Sequence, residues 1–88
     1  MEKLNKMDSY IIAQKAITEL KSAIFLLLKN APGDGLKNSE IGKALGIYHG
    51  HNNQHEGHIS RSLLDMMEGE GIIEQDQTTK KWKLKKLY

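Results

Sequence analysis

The four histidines of the chain fall within ten residues, in the stretch HGHNNQHEGH that runs from His49 to His58. The spacings H-x-H and H-x-x-H are short enough for imidazoles to share one transition-metal ion. A structural zinc site built from histidine alone is unusual, and the chain has no cysteine to complete one. A solvated polar loop is the plainer interpretation. We therefore predict no metal site and no cofactor.

The basic residues are concentrated in the last nine positions, KKWKLKKLY, which carry five lysines and no acid. Before residue 80, eleven Asp and Glu outnumber eight Lys and Arg, so the net charge of +2 hides a strong asymmetry. A basic patch on a mildly acidic body is typical of a protein that contacts a polyanion at one place. The alternative is a solvated hairpin edge, which lysines commonly protect.

The length of the chain and the motifs in its sequence limit the functions that we expect. A chain of 88 residues forms one domain, residues 1–88, and so small a core seldom encloses the deep pocket that an enzyme needs. We find no catalytic triad, no paired carboxylates and no phosphate-binding glycine loop. No apolar run approaches 18 residues, and no signal sequence is apparent. We expect a soluble cytoplasmic protein without enzymatic activity.

The longest helical pattern covers residues 9–29 and ends before the turn sequence at Pro32. Its first turns, near Tyr10 and Ile11, are expected to extend beyond the core and meet a partner chain. Spacings of three and four define its apolar stripe, which consists of Ile12, Ala13, Ala16, Ile17, Leu20, Ile24, Leu27 and Leu28.

Two shorter helices follow. Residues 39–45 are predicted to be capped by Asn38 or Ser39 and to end at Gly46, while Gly42 indicates that another helix crosses closely. Residues 58–70 form the third helix, which ends at Gly71. The apolar side of this third helix is predicted to contain Ile59, Leu63, Leu64, Met66 and Met67.

After Gly71 the apolar residues recur at every second position instead of every third or fourth. Apolar and charged residues alternate in two runs separated by residues 76–80, which predicts a hairpin over residues 72–85. Trp82 and Leu84 share one face of this hairpin and lysines occupy the other. We therefore expect Trp82 in the core and not on the surface as a stacking platform.

The order helix, extended link, helix, helix, hairpin resembles the winged helix-turn-helix superfamily of DNA-binding domains. Residues 39–46, SEIGKALG, are similar to its second helix, in which a small residue at the place of Gly42 lets the next helix cross. Residues 59–73, ISRSLLDMMEGEGII, are similar to its recognition helix running into the first wing strand. The resemblance covers residues 15–86. It implies an α+β winged helix-turn-helix with three helices followed by a two-stranded β-hairpin wing.

In proteins of this type the third helix enters the major groove of double-stranded DNA with its first half at the base edges. Arg61, the only arginine, suits bidentate pairing with guanine, and His58 can reach a phosphate. The wing lysines then make salt-sensitive phosphate contacts. The DNA-binding residues implied by the resemblance are His58, Ser60, Arg61, Ser62, Gln77, Thr78, Thr79, Lys80, Lys81 and Lys83.

The implied function is transcriptional regulation or DNA reading within a larger assembly. Because a domain of this size offers a modest DNA interface, we expect a homodimer through the first helix to supply a second half-site. Two features oppose DNA binding: the link of residues 47–57 is long, and an acidic run comprises Asp65, Glu68, Glu70, Glu74 and Asp76. The rival interpretation is a winged-helix module that binds a protein partner, in which Arg61 is an ordinary helix partner of Asp65.

Overall fold

The computed structural model describes residues 6–49 and 56–86, which form three helices and one antiparallel hairpin. In the hairpin, Ile73 lies opposite Leu84 and Gln75 lies opposite Trp82. The predicted α+β fold, three helices followed by a two-stranded hairpin, is thereby confirmed and is consistent with a winged-helix layout. The elements in chain order are α1 (Lys6–Lys29), α2 (Asn38–Leu45), α3 (His58–Gly69), β1 (Ile73–Gln75) and β2 (Trp82–Leu84).

The start of α2 differs from the prediction. Lys37 precedes the helix in an extended conformation, and its backbone N–H donates to a carboxylate oxygen of Glu40 at 2.8 Å. Asn38 and Ser39 lie inside the helix, so the prediction that one of them caps it was wrong. The end of α2 is as predicted, because Gly46 adopts the left-handed conformation with φ 73°.

The core forms where the three helices meet the inner face of the hairpin. Trp82 is only 1% exposed, which confirms its predicted place in the core. Its backbone also pairs with Leu36 in the link between α1 and α2, through N–H···O bonds of 2.6 and 2.9 Å. The link is thus joined to the hairpin edge. The buried apolar residues are Ile24, Leu28, Ile41, Leu63, Leu64, Met67, Ile73 and Trp82.

Only the second half of α1 reaches this core. Every residue from Lys6 to Ala16 is exposed, and Ile24 and Leu28 are the buried residues of the helix. Ile12, Ala13 and Ala16 of the predicted apolar stripe are therefore exposed, because the apolar period continues past the point where the domain body ends. The first eleven residues of α1 therefore project by about 16 Å, at about 1.5 Å per residue. In the part of the chain that the structure describes, neither α1 nor a shorter helix has the length and apolarity that a membrane span requires.

The apolar side of α3 is narrower than the sequence predicted. Leu63, Leu64 and Met67 are buried, but Ile59 is 46% and Met66 is 43% exposed. The two exposed residues lie beside the polar face of the helix. They are therefore available to a partner molecule.

The helices α2 and α3 approach each other closely at Gly42, as the sequence predicted. A Cβ atom at Gly42 would lie 2.7 Å from Cδ1 of Tyr48 and 2.9 Å from Oγ of Ser60. Gly57, immediately before α3, has φ 86°, and a Cβ there would lie 2.7 Å from Cε1 of Tyr48. The Tyr48 ring thus fills a space that exists only because both neighbouring positions are glycine.

Replacing Gly42 with Ala tests this close approach. Alanine improves helix propensity by about 1 kcal/mol, but overpacking against Tyr48 and Ser60 costs about 1–3 kcal/mol. We expect a net loss of stability in urea unfolding followed by circular dichroism. Gly69→Ala is the matched control, because an added Cβ at this residue of α3 meets no atom within 4 Å. Equal stability changes in the two variants would contradict the described contact.

Candidate nucleic-acid interface

A polar groove lies where the start of α2, the exposed face of α3 and the hairpin turn meet. Its volume is about 540 Å³. Three of its lining residues, Lys37, Arg61 and Lys80, are cations, and among the described residues that line it none is acidic. We term it the cationic groove. Its other described lining residues are Asn38, Ser39, Tyr48, Gln75, Gln77 and Trp82.

Arg61 reaches this groove from the exposed face of α3. Its Nε lies 3.5 Å from Oδ1 of Asp65, one turn along the helix, and both side chains are more than half exposed. The predicted helix pair is therefore present. An exposed ion pair of this length contributes little to stability and exchanges readily for another anion. The pairing leaves Arg61 able to bind a ligand in the groove.

Ser60 faces the interior and does not reach the groove. Its side chain is fully buried, and its hydroxyl donates to Oδ1 of Asn38 at 2.6 Å, with the Gly57 carbonyl oxygen at 3.2 Å. Nδ2 of Asn38 in turn donates to the same carbonyl at 3.2 Å. The prediction that Ser60 contacts DNA was wrong, because the helix turns this residue toward Gly42. Ser60 instead fixes the start of α3 and so positions Arg61.

His58 and Ser62 lie at the surface, one turn apart at the beginning of α3. With Arg61 they present two nitrogen-bearing side chains and a hydroxyl on one side of the helix. Ile59 is exposed beside them. Three of the four predicted contacts on this helix are thus brought together, and Ile59, which was predicted to lie on the apolar side of the helix, is exposed beside them.

The hairpin turn is organised by Asp76. One of its carboxylate oxygens accepts the backbone N–H groups of Thr78 and Thr79 at 2.8 and 2.9 Å. The Asp76 carbonyl accepts the N–H of Lys80 at 2.7 Å, and Lys80 adopts a left-handed φ of 66°. Gln77 and Lys80 line the cationic groove, whereas Thr78 and Thr79 use their N–H groups to hold the turn.

Two of the predicted wing lysines do not line the cationic groove. Nζ of Lys81 lies 2.7 Å from Oδ2 of Asp34, and this hydrogen-bonded ion pair raises the pKa of Lys81 and lowers the pKa of Asp34. Nζ of Lys83 lies 3.9 Å from Oε2 of Glu74. Lys83 instead lines a separate groove of about 580 Å³, whose other charged residues are Lys29, Glu74, Lys85 and Lys86.

Six lining residues of the cationic groove were not among the predicted site residues: Lys37, Asn38, Ser39, Tyr48, Gln75 and Trp82. Lys37 did carry a signal, since a cation is electrostatically disfavoured at the positive end of a helix dipole. A lysine immediately before α2 therefore suggests an anionic partner. Tyr48 follows α2 in a link whose path no periodic pattern defines.

The histidine stretch is described only at its ends. Nε2 of His49 lies 2.8 Å from the Gly46 carbonyl oxygen, and His58 opens α3. His51 and His55 lie outside the described residues, as does most of the predicted polar loop. Within residues 6–49 and 56–86 there is no group of three or more side chains that could together hold a metal ion.

The acidic run that opposed DNA binding is largely compensated. Asp65 pairs with Arg61, Glu74 pairs with Lys83, and Oε2 of Glu70 lies 2.6 Å from Nζ of Lys21. The Asp76 carboxylate is directed at the N–H groups of its own turn. Three of the five acidic side chains of the run, Glu70, Glu74 and Asp76, therefore have partners that do not line the cationic groove.

Comparison of the chain with protein-family models, with curated proteins and with solved structures finds no match. The inference of function therefore depends on the geometry of the groove. Guanidinium, ammonium, amide and hydroxyl groups converge there from three elements of the fold. Such a surface suits an extended anionic ligand that also offers hydrogen-bonding groups.

The Asp76 turn gives a prediction about pH. The N–H groups of Thr79 and Thr78 lower the pKa of the Asp76 carboxyl below its ordinary value. A depressed pKa means that the stabilisation is complete above the ordinary value of about 3.9 and is lost as the pH falls through the lower folded value. We expect the amide NMR shifts of Thr78 and Thr79 to titrate with a midpoint below 3.9. This titration should disappear in Asp76→Asn; a midpoint at or above the ordinary value would refute the turn geometry.

Proposed function

We propose that this chain binds double-stranded DNA, with α3 in the major groove and the hairpin turn beside the phosphate backbone. The observation that best supports the proposal is the cationic groove, in which Lys37, Arg61 and Lys80 converge from three elements. A DNA duplex carries one negative charge per about 1.7 Å of its axis, so cations from separate elements can contact successive phosphates. The major groove is wide enough to admit one α-helix.

In this proposal the beginning of α3 reads the bases. Arg61 can pair with O6 and N7 of guanine, and His58 and Ser62 offer hydrogen bonds on the same side of the helix. Ile59, with 46% of its surface exposed, supplies an apolar contact of the kind that recognises the thymine methyl group. With these four residues, α3 has both polar and apolar side chains with which to distinguish base pairs.

The phosphate contacts come from the two elements that flank α3. Lys37 and Ser39 line the cationic groove at the start of α2, where the helix dipole favours an anion. Gln77 and Lys80 extend from the hairpin turn on the other side of the groove. Contacts on both sides of α3 would fix its orientation in the DNA without reading sequence.

Transcriptional regulation, or DNA reading within a larger assembly, is the biological role that we propose, and it leads us to expect a cytoplasmic location.

A protein-binding module is the second candidate, and the exposed Ile59 and Met66 on α3 favour it. Fluorescence anisotropy of the chain with a labelled mixed-sequence duplex at low salt decides between them. Absence of salt-dependent binding would leave the protein-binding module as the better proposal.

Substitutions at Arg61 test base reading. After a preferred duplex is selected from a random pool, Arg61→Ala should lose about 1–3 kcal/mol of its preference for that duplex over an unrelated one. Arg61→Lys is the matched control, because it keeps the positive charge but loses bidentate geometry. It should lose the preference while retaining the salt dependence. Full preference in both variants would remove Arg61 from the reading surface.

Substitutions at three lysines test the phosphate contacts. Lys37→Ala and Lys80→Ala should each weaken binding to all sequences and reduce the slope of log K against log salt by about 1. Lys83→Ala is the control, because Lys83 lies on the hairpin but lines the separate groove. Its slope should equal that of the wild type. If Lys83→Ala reduces the slope and Lys80→Ala does not, DNA follows the outer face of the hairpin.

A further inference from the structure

The projecting half of α1 exposes an unusual amount of apolar surface. Met7 is 59%, Tyr10 is 61% and Ile11 is 43% exposed, within two turns of one helix. Single exposed apolar residues are common on protein surfaces, but a contiguous group of large ones marks an interaction site. This surface does not suit the polyanion proposed as ligand of the cationic groove, because its described residues Met7, Tyr10 and Ile11 carry no cation.

Two adjoining grooves continue this surface along α1 onto the domain body. The first, of about 500 Å³, is lined by Tyr10, Ile11, Gln14, Lys15, Thr18 and Glu19. The second, of about 240 Å³, is lined by Thr18, Lys21, Ser22, Phe25, Met67 and Ile72. Because Thr18 lines both grooves, they form one trough, which we term the α1 trough.

Helical spacing explains the trough. Met7, Ile11, Thr18 and Phe25 follow one another at intervals of four, seven and seven residues, which keeps them on one side of α1. Ile12 follows Ile11 directly but lies about 100° around the helix from it. Ile12 accordingly does not line the trough, although it is 67% exposed.

We propose that a second copy of this chain occupies the α1 trough, with the two α1 helices antiparallel about a two-fold axis near Gln14 and Thr18. Met7 then lies against the partner's Phe25, and the projecting end of each helix covers the body end of the partner's trough. A parallel arrangement would leave the two projecting ends packed only on each other. Self-complementarity of one patch is the condition for a two-fold symmetric dimer.

The charges of the trough favour a second copy over a charged partner. Of its three charged residues, Lys21 is already paired with Glu70 at 2.6 Å. Lys15 and Glu19 remain, and they lie on the same edge of the trough, four residues apart. In an antiparallel pair, the edge of one trough lies beside the same edge of the other. Measured along the helix axis, Lys15 of each copy is then within about 3 Å of Glu19 of the other copy. The dimer therefore contains two intermolecular ion pairs, each between a lysine of one copy and a glutamate of the other.

The size of the trough sets the strength of the dimer. One side of α1 with Met67 and Ile72 contributes fewer residues than the 20–30 of a standard interface. We therefore expect reversible dimerisation with a Kd in roughly the micromolar range. Sedimentation velocity of the full chain over a concentration series measures this directly and uses no DNA, so its result does not depend on the proposed function.

The first test compares neighbouring isoleucines. Ile11→Asp places a charge in the trough and should make the chain monomeric at every concentration studied. Ile12→Asp introduces the same residue at the next position of the same helix, outside the trough, and should dimerise like the wild type. Circular dichroism checks that both variants keep their helices. Dimers that survive Ile11→Asp, or that Ile12→Asp alone disrupts, would overturn the assignment.

The second test uses charge reversal. Lys15→Glu and Glu19→Lys should each weaken self-association, because each places like charges at both pairs of the interface. Mixing the two variants restores both opposite pairings, and we expect a heterodimer at concentrations where neither variant dimerises alone. An ion pair within one helix cannot produce rescue on mixing. A wild type that stays monomeric at several hundred micromolar, or mixed variants that do not associate, would refute the antiparallel dimer.

Discussion

The junction between α2 and α3 is the constraint on which the proposed binding surface depends. Ser60, Asn38 and the Gly57 carbonyl form a closed set of hydrogen bonds inside the domain, and Gly42 permits the helices to come close enough to make it. A buried polar group left without its partner costs about 1–3 kcal/mol, so the set resists separation. Because it lies at the first turn of α3, it fixes the direction in which Arg61 emerges.

The charged residues divide into those used within the fold and those presented outward. Lys81 is held by Asp34 and Lys21 by Glu70, each through a short ion pair that joins segments distant in the chain. Asp76 shapes the hairpin turn. Lys37 and Lys80 line the cationic groove instead, with no acidic residue among its described lining. Because ion pairs neutralise Lys81 and Lys21 elsewhere, the positive electrostatic potential is concentrated at the cationic groove, although the chain as a whole is nearly neutral.

Periodicity predicted the helices, the hairpin and the burial of Trp82, because each depends on which side of an element faces the core. The same reasoning could have found Ser60, which precedes Leu63, Leu64 and Met67 by three, four and seven residues; its polarity concealed its position. Tyr48 could not be placed in the groove, since it follows α2 in a link without a periodic pattern, whereas Lys37 carried only the signal of a cation at the positive end of a helix dipole. The resemblance also assigned Lys81 and Lys83 to the DNA-binding surface, but Lys81 pairs with Asp34 and Lys83 lines the separate groove.

The central position of Trp82 has a consequence for the order of folding during synthesis. All three helices precede this residue in the chain, yet the core and the bridge to Leu36 require it. Until the ribosome has released the second strand, the core between the helices and the hairpin lacks the side chain of Trp82. The nascent domain must therefore wait with its apolar faces open, as expected for a fold whose decisive contacts are long-range in sequence. Its dependence on protection from aggregation should be greatest just before its last strand emerges.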